Sequence, residues 1–235
     1  MAAIGILGGM GPQASAHLHA LLIRDAPKHI SITSETDFPE IVLLSVPVPN
    51  FISNKHNFSK TKQILIGKVS LLEQAGCIVN GIACNTAHLL LPDLQAATGV
   101  PFLSIPALVA AHISRAGFKR VGLLATPTTL DSTLYDETLD TSIVKLVRPS
   151  AAIATKLEKL IFKQLHGDIK PADQAALRRI AEKFIADRKL DAVILGCTEL
   201  PLIFGESEDA RVIDTLRVLS DGLLHAYFTD TAARS

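Results

Sequence analysis

The sequence has no tryptophan, few aromatic residues and no excess of charge of either sign. Aromatic side chains make up 5% of the 235 residues and hydrophobic ones 48%, so we expect a core of isoleucine, leucine, valine and alanine. Lysine plus arginine number 23, as do aspartate plus glutamate. The sequence contains neither a basic stripe nor an acidic block, and this argues against nucleic acid or an anionic membrane surface as a partner.

Long apolar runs and targeting signals are also lacking. The longest apolar runs, such as the one through Leu89–Leu91, fall far short of the roughly 20 residues that span a bilayer. The first residues, MAAIGILGGMG, are apolar but have no basic segment, so we interpret them as a buried strand that runs into a glycine loop. We therefore predict a cytoplasmic protein that does not bind membranes.

Cysteine is scarce, and its number is odd. The chain has Cys77, Cys84 and Cys197. In a reducing compartment these should be free thiols, either packed or reactive, and not a disulfide framework.

The sequence does show a regular alternation of short apolar runs and longer helical patterns. The predicted strands are Ile4–Leu7, Glu40–Val46, Cys77–Ala83, Pro101–Ile105, Arg120–Ala125, Ile143–Val147, Ala192–Gly196 and Arg211–Ile213. The predicted helices are Gln13–Asp25, Thr61–Ala75, Asn85–Ala97, Thr128–Leu139, Ala151–His166, Ala172–Arg188 and Leu216–Phe228. Near-continuous apolar strands separated by helices indicate an α/β fold with mostly parallel sheets flanked by helices.

The pattern contains a weak internal repeat. The segment around Gly122 resembles the segment around Gly5, 117 residues earlier, and the segment around Cys197 resembles that around Cys84, 113 residues earlier. Two matches at nearly the same offset predict two pseudo-symmetric α/β domains with the active site in the cleft between them.

The length also suits two domains. We predict a first domain of residues 1–106 plus 214–235, which carries Cys84, because the last helix can pack back on the first half. The second predicted domain, residues 107–213, carries Cys197.

Each half places one cysteine just past the end of a buried strand, where a helix is predicted to begin. In open parallel sheets, ligands bind outside the carboxyl ends of the strands. A nearby helix N-terminus lowers the pKa of a cysteine and favours the thiolate, and its free N–H groups can bind a carboxylate.

Two facing thiols suit racemisation. This reaction removes a proton from one face of a carbon and returns a proton to the opposite face, so it needs one deprotonated and one protonated group. Cys84 and Cys197 can exchange these two roles between directions. The carbanion formed between the two transfers requires preorganised donors around the substrate carboxylate.

Other residues have simpler explanations. Cys77 is interpreted as a packed core residue. His88 could share a helix face with Cys84, but no third or fourth ligand stands at metal spacing, so we predict no metal site and assign His88 to capping or packing. The glycine loop Gly8–Pro12 matches neither phosphate-binding fingerprint, and we interpret it as a tight turn near a small anionic ligand.

Four motifs, in order, resemble the aspartate/glutamate racemase superfamily over nearly the whole chain, and the aspartate racemase branch in particular. They are IGILGGMGP at Ile4–Pro12, GIACNTAH at Gly81–His88, GLLATPTT at Gly122–Thr129 and ILGCTELPL at Ile194–Leu202. The resemblance implies a two-base racemase that needs no pyridoxal phosphate or other cofactor, acts on a small amino acid, and forms a homodimer. It implies Cys84 and Cys197 as catalytic residues. The substrate-contacting positions that it implies are Met10, Asn85, Thr86, Thr126, Thr129, Thr198 and Glu199.

The chain departs from the family pattern in places that bear on substrate. Many aspartate racemases have P-x-P-D-R after the second strand, with the arginine available for a substrate carboxylate, and here Phe51 stands in place of that arginine. A family lysine near the end of the Ala151–His166 helix is replaced by His166, with Lys163 nearby. A neutral or apolar amino acid fits Phe51 better than aspartate does.

Other functions stay open at this point. The same scaffold could serve a decarboxylase or cis–trans isomerase of small dicarboxylates. A thiol hydrolase that pairs Cys84 with His88 would leave Cys197 without a role. A non-catalytic amino-acid-binding protein could use the same cleft.

Overall fold

The computed structural model describes residues 2–52 and 55–234, and the chain divides into two compact units. Unit 1 is Met1–Ile105 together with Leu216–Ser235, and unit 2 is Pro106–Thr215. The domain limits expected from the sequence differ from these by one or two residues. The assignment of the two segments as separate domains stays a prediction.

The described strands and helices alternate along the chain. The strands are β1 (Ala3–Gly8), β2 (Glu40–Ser45), β3 (Cys77–Ile82), β4 (Phe102–Leu103), β5 (Arg120–Leu124), β6 (Lys145–Val147), β7 (Ala192–Leu195) and β8 (Val212–Asp214). The helices are α1 (Pro12–Asp25), α2 (Phe58–Gln74), α3 (Leu91–Gln95), α4 (Ile105–Ala116), α5 (Pro127–Leu130), α6 (Ala151–His166), α7 (Pro171–Arg188), α8 (Glu199–Phe204) and α9 (Thr215–Arg234).

Each unit contains a four-stranded parallel sheet. The strand order is β2-β1-β3-β4 in unit 1 and β6-β5-β7-β8 in unit 2, so the two orders are the same when strands are counted from the start of each unit. Every adjacent pair runs parallel. The predicted α/β fold class with parallel sheets is confirmed, and the equal strand order accounts for the repeat in the sequence.

The central strands form the core of each sheet. All residues of β1 and of β7 are buried, as expected for apolar strands covered on both faces. In unit 1, α1 and α2 pack against β1 and β2, and α9 covers Gly81 of β3, where an added Cβ would lie 2.9 Å from Leu223. In unit 2, α7 packs against β5 and β7.

The segment predicted as one helix over Asn85–Ala97 begins differently. Thr86–Leu90 forms a 3-10 helix, and α3 follows it. The His88 backbone N–H donates to the Asn85 carbonyl at 3.0 Å, while the His88 ring binds the Cys84 carbonyl at 2.8 Å. Because the ring occupies the carbonyl that an α-helix would pair with the His88 N–H, the first turn is tighter than predicted.

The predicted helix over Thr128–Leu139 is largely wrong. Only α5 is helical there, and the residues after it form turns. Arg148 explains the difference, because its guanidinium donates to the carbonyls of Leu130 at 2.8 Å and Ser132 at 3.1 Å. Both carbonyls would be needed to continue the helix.

The segment Pro101–Ile105 was also predicted incompletely. Its strand is limited to β4, and Ile105 already begins α4, a helix that the sequence pattern did not indicate.

Candidate functional site

The two catalytic candidates occupy the same position in the two units. Cys84 lies two residues beyond the end of β3, and Cys197 lies two residues beyond the end of β7. Each strand is the third of its unit and follows the first strand in the sheet order. Both cysteines are buried free thiols. The carboxyl end of a central parallel strand is where such sheets bind ligands.

In unit 1, three further predicted residues are buried beside this strand end. Asn85 and Thr86 directly follow Cys84, and Met10 follows β1. β1 and β3 are neighbours in the sheet, so their carboxyl ends lie at the same edge. The structure thus brings Met10 to the edge that carries Cys84.

A glycine fixes the loop that carries Met10. Gly9 has φ 94°, and a Cβ added to it would lie 2.4 Å from the backbone N of Val46. The Gly9 N–H donates to Ser15 Oγ at 3.0 Å, and Ser15 Oγ donates to the Gly11 carbonyl at 3.0 Å. Only glycine combines this conformation with such a close backbone approach, so the loop is held in one shape.

His88 has a structural role in unit 1. Its Nε2 accepts the Ile105 backbone N–H at 3.0 Å, so the ring proton is on Nδ1, which donates to the Cys84 carbonyl. Burial lowers the pKa of His88 to about 4, although hydrogen bonds with Cys84 and its neighbours oppose that shift. Both nitrogens are occupied by backbone groups, so this ring orients the backbone of Cys84 and does not act as a base for its thiol.

In unit 2, Cys197 has a carboxyl partner. Its Sγ donates to Glu199 Oε2 at 2.9 Å, and Thr198 Oγ1 donates to the same oxygen at 3.2 Å. Glu199 is 3% exposed, and burial raises the pKa of its carboxyl, against the opposing effect of the bond from Cys197. Its other oxygen, Oε1, is buried without a hydrogen-bond partner in the described part of the chain.

Two predicted threonines lie at the first strand of the same sheet. Thr126 follows β5 and caps α5, because its Oγ1 accepts the Thr129 N–H at 3.3 Å and donates to Thr129 Oγ1 at 3.1 Å. Both threonines are buried. β5 pairs with β7, so this cap lies at the sheet edge that carries Cys197.

Sequence reasoning missed Tyr135. This side chain is 1% exposed, and burial, together with the charge of nearby Cys197, raises the pKa of its hydroxyl above the usual value. Tyr135 is one of two tyrosines in a chain without tryptophan. A buried tyrosine hydroxyl usually has a hydrogen-bond partner. The rarity of tyrosine in this chain was the feature of the sequence that could have drawn attention to Tyr135.

The residues at which this chain differs from the family pattern make contacts outside the predicted site. Phe51 is 2% exposed and packs edge-on against Phe58, with ring centroids 5.3 Å apart at 86°. Lys163 pairs with Asp173 at 2.6 Å, and exposed His166 lies against Phe162 on α6. None of these contacts involves a residue of the predicted site.

Cys77 differs from the other two cysteines. It is the first residue of β3, and burial, with a smaller contribution from the charge of Glu40, raises the pKa of its thiol to about 11. The thiol is therefore protonated at neutral pH, as suits a packing residue.

Two further findings concern metals and membranes. Within residues 2–52 and 55–234, the His, Cys, Asp and Glu side chains nowhere gather in threes that could hold a metal ion. Over the same residues, every helix is too short or too polar to cross a lipid bilayer.

Known proteins match this chain over nearly its full length. The family model described as Asp/Glu/Hydantoin racemase matches residues 7–221. The broad specificity amino-acid racemase RacX of Bacillus subtilis (strain 168) is 24% identical over 225 residues, which are 95% of this chain and 97% of that protein.

Solved structures agree with the sequence match. An aspartate racemase homologue from Pyrococcus horikoshii OT3 superposes with a TM-score of 0.79 at 29% identity, covering 97% of this chain and all of that one. An aspartate racemase of Picrophilus torridus gives 0.77 at 28% identity, covering 96% and 94% of the two chains. The superfamily resemblance inferred from the four motifs is thereby confirmed.

Proposed function

Because the chain belongs to the Asp/Glu/Hydantoin racemase family, whose members are isomerases, we propose that it interconverts L- and D-amino acids by two-base proton transfer between paired cysteines. One observation carries this proposal. Each unit has a buried cysteine two residues beyond the third strand of a sheet with the same strand order. Two equivalent thiols match a reaction that treats two mirror-image substrates alike.

The proposed chemistry needs only the chain's own groups. The thiolate of one cysteine takes the Cα proton from one face of the amino acid, and the C–H electron pair remains on the substrate as a carbanion delocalised into its carboxylate. The thiol of the other cysteine then donates its proton to the opposite face. The reverse reaction uses the same two groups with their roles exchanged, and proton exchange with water restores the starting state.

The residues around the thiols have separate tasks in this proposal. The buried polar side chains of Asn85, Thr86, Thr126 and Thr198 supply hydrogen bonds to the substrate carboxylate, whose negative charge grows during proton removal. Glu199 accepts the Cys197 proton through Oε2, so Cys197 and Glu199 share one proton between them. Met10 contributes an apolar wall.

For the substrate we propose an amino acid with a neutral side chain. Phe51 stands in the sequence where many aspartate racemases have an arginine for a side-chain carboxylate, and it is buried against Phe58. Lys163 is paired with Asp173 and so does not replace that arginine. The name of the Bacillus subtilis relative records broad specificity, which is compatible with a substrate other than aspartate.

The first experiment is α-proton exchange in heavy water, followed by proton NMR over a panel of L- and D-amino acids without added pyridoxal phosphate or metal. We expect loss of the Cα proton signal for neutral amino acids, and chiral chromatography of the same samples should show the other enantiomer. Exchange confined to aspartate or glutamate would support racemisation but refute the proposal that the substrate has a neutral side chain. No exchange with any amino acid would refute racemisation and favour a decarboxylase, a cis–trans isomerase of dicarboxylates or a binding protein.

Cysteine variants test the mechanism itself. Cys84→Ala and Cys197→Ala should each lower racemisation by about 10²–10⁴-fold, the usual contribution of one acid–base group. Cys77→Ala is the matched control, because Cys77 is equally buried and should affect packing only. Full racemisation by Cys197→Ala would exclude the two-base mechanism. Full activity of both variants would exclude both thiols as catalytic groups.

A homodimer, implied by the family resemblance, and a cytoplasmic location, expected from the sequence features described above, stay predictions. Light scattering behind size-exclusion chromatography measures the first, and a mass of about 25 kDa instead of twice that value would contradict it.

A further inference from the structure

Unit 2 contains a groove that none of the predicted site residues lines. It has a volume of about 440 Å³ and lies between α6 and α7. Small-molecule sites usually measure about 300–1,000 Å³, so the groove is large enough for a ligand of modest size.

The bottom of the groove is apolar. Ile153 of α6 and Ile180 of α7 are half-buried, and Phe184 of α7 is buried beneath them. The Phe184 ring lies close to Gly122 of β5, since a Cβ added to that glycine would be 2.6 Å from the ring. The groove therefore has an apolar bottom with packed backbone beneath it.

The rim of the groove is basic. Lys183 pairs with Asp187 at 2.9 Å, and in the described residues Asp187 forms no ion pair with another cation of the rim. Lys156, Arg179 and Arg188 also line the groove, are exposed, and have no acidic partner within the described part of the chain. Over the whole sequence the charges balance at 23 of each sign, so this concentration of cations is local.

We propose that the groove binds a small organic anion with an apolar body. The apolar body would lie on Ile153, Ile180 and Phe184, and the acidic group would meet the unpaired cations. Neither half of such a ligand suffices alone. An exposed charge contact in water contributes little, and an uncharged apolar chain would leave the cations uncompensated.

Octanoate is the probe that tests this proposal, by isothermal titration calorimetry on the full chain. Acetate supplies the charge without the chain, and 1-octanol supplies the chain without the charge. We expect octanoate to bind at least about tenfold more tightly than either comparison ligand, since it combines a charge-assisted contact with apolar burial. Equal affinities for octanoate and acetate, or for octanoate and 1-octanol, would overturn the proposal.

Two lysines of α6 provide a matched pair of variants. Lys156 lines the groove, while Lys159 is also exposed on α6 but does not line it. Lys156→Glu should weaken octanoate binding by about tenfold, and Lys159→Glu should change it by less than about twofold. Equal effects of the two variants would show that octanoate does not bind in this groove.

Amide chemical shifts locate the ligand without any variant. On addition of octanoate to the wild-type chain, the amides of Ile153 and Ile180 should shift. Shifts confined to residues outside α6 and α7 would refute the assignment. Racemisation need not be measured, so the outcome does not depend on the proposed function.

Discussion

The contact between Cys197 and Glu199 leads to a sharp prediction for Glu199→Gln. The substitution keeps the shape of the side chain and removes its charge. The wild-type Sγ–Oε2 distance is 2.9 Å in a site where Glu199 is 3% exposed, so water screens this bond poorly. A hydrogen bond to a charged group contributes about 1.5–3 kcal/mol, which corresponds to a loss of about tenfold to 150-fold in rate.

The pH profile separates this role from a merely structural one. Ionised Glu199 is the form that accepts the thiol proton, and burial raises the pKa of this carboxyl. In the wild-type protein, kcat/KM should therefore rise with pH through the raised pKa of Glu199, above the usual range of an exposed carboxyl. Glu199→Gln has no such titration, so this acid limb should disappear.

The assay measures initial racemisation rates by circular dichroism from pH 4 to 9 for both enantiomers. Enantiomers have equal free energies, so the variant must lower kcat/KM by the same factor in both directions. Glu208→Gln, the same change at an exposed position, is the control. A Glu199→Gln protein that retains wild-type rates and an unchanged acid limb would refute the proton-sharing pair.

Three further predictions concern stability and specificity. Burial lowers the pKa of His88 from 6.5 to about 4, so between these two pH values the unfolded chain binds more protons than the folded chain. The free energy of unfolding should therefore fall by about 3 kcal/mol as pH drops from 6.5 to 4. Urea titrations of wild type and His88→Gln test this, and equal pH slopes of the two proteins would contradict it. Arg148→Ala should destabilise unit 2 by about 2 kcal/mol, because it frees two carbonyls and removes a partner of Asp136; thermal unfolding beside Lys145→Ala measures the difference. Phe51→Arg should raise the aspartate-to-alanine ratio of kcat/KM by about tenfold, as one charge-assisted bond would; an unchanged ratio in a folded variant would place the substrate side chain away from Phe51.

The position of the two cysteines was predictable because their surroundings are local and occur twice. An apolar strand that ends in a small residue and a cysteine appears in both halves, and strand burial alone brings Cys84 and Cys197 to sheet edges. The parallel sheets followed from the same alternation of strands and helices.

The errors arise where a distant or unusual contact decides the backbone. Arg148 ends helix α5, which begins at Pro127, from a position about twenty residues along the chain, and the helical periodicity of the sequence does not reveal this contact. The ring of His88 tightens the turn after Cys84, although its neighbours are good helix formers. Tyr135 lies in these turns, one residue before Asp136, which pairs with Arg148, so helical periodicity did not indicate its burial.

Unit 1 is assembled from both ends of the chain, and this has a consequence for synthesis. All of unit 2 is translated before α9, whose Leu219 and Leu223 cover Gly81 of the strand leading to Cys84. The Tyr227 hydroxyl donates to the Ala2 carbonyl at 3.3 Å, joining the last helix to the start of the first strand. On the ribosome, unit 2 can fold while β3 still lacks its cover. The surroundings of Cys197 can therefore be complete before α9 is made, whereas those of Cys84 are complete only once α9 has been synthesised.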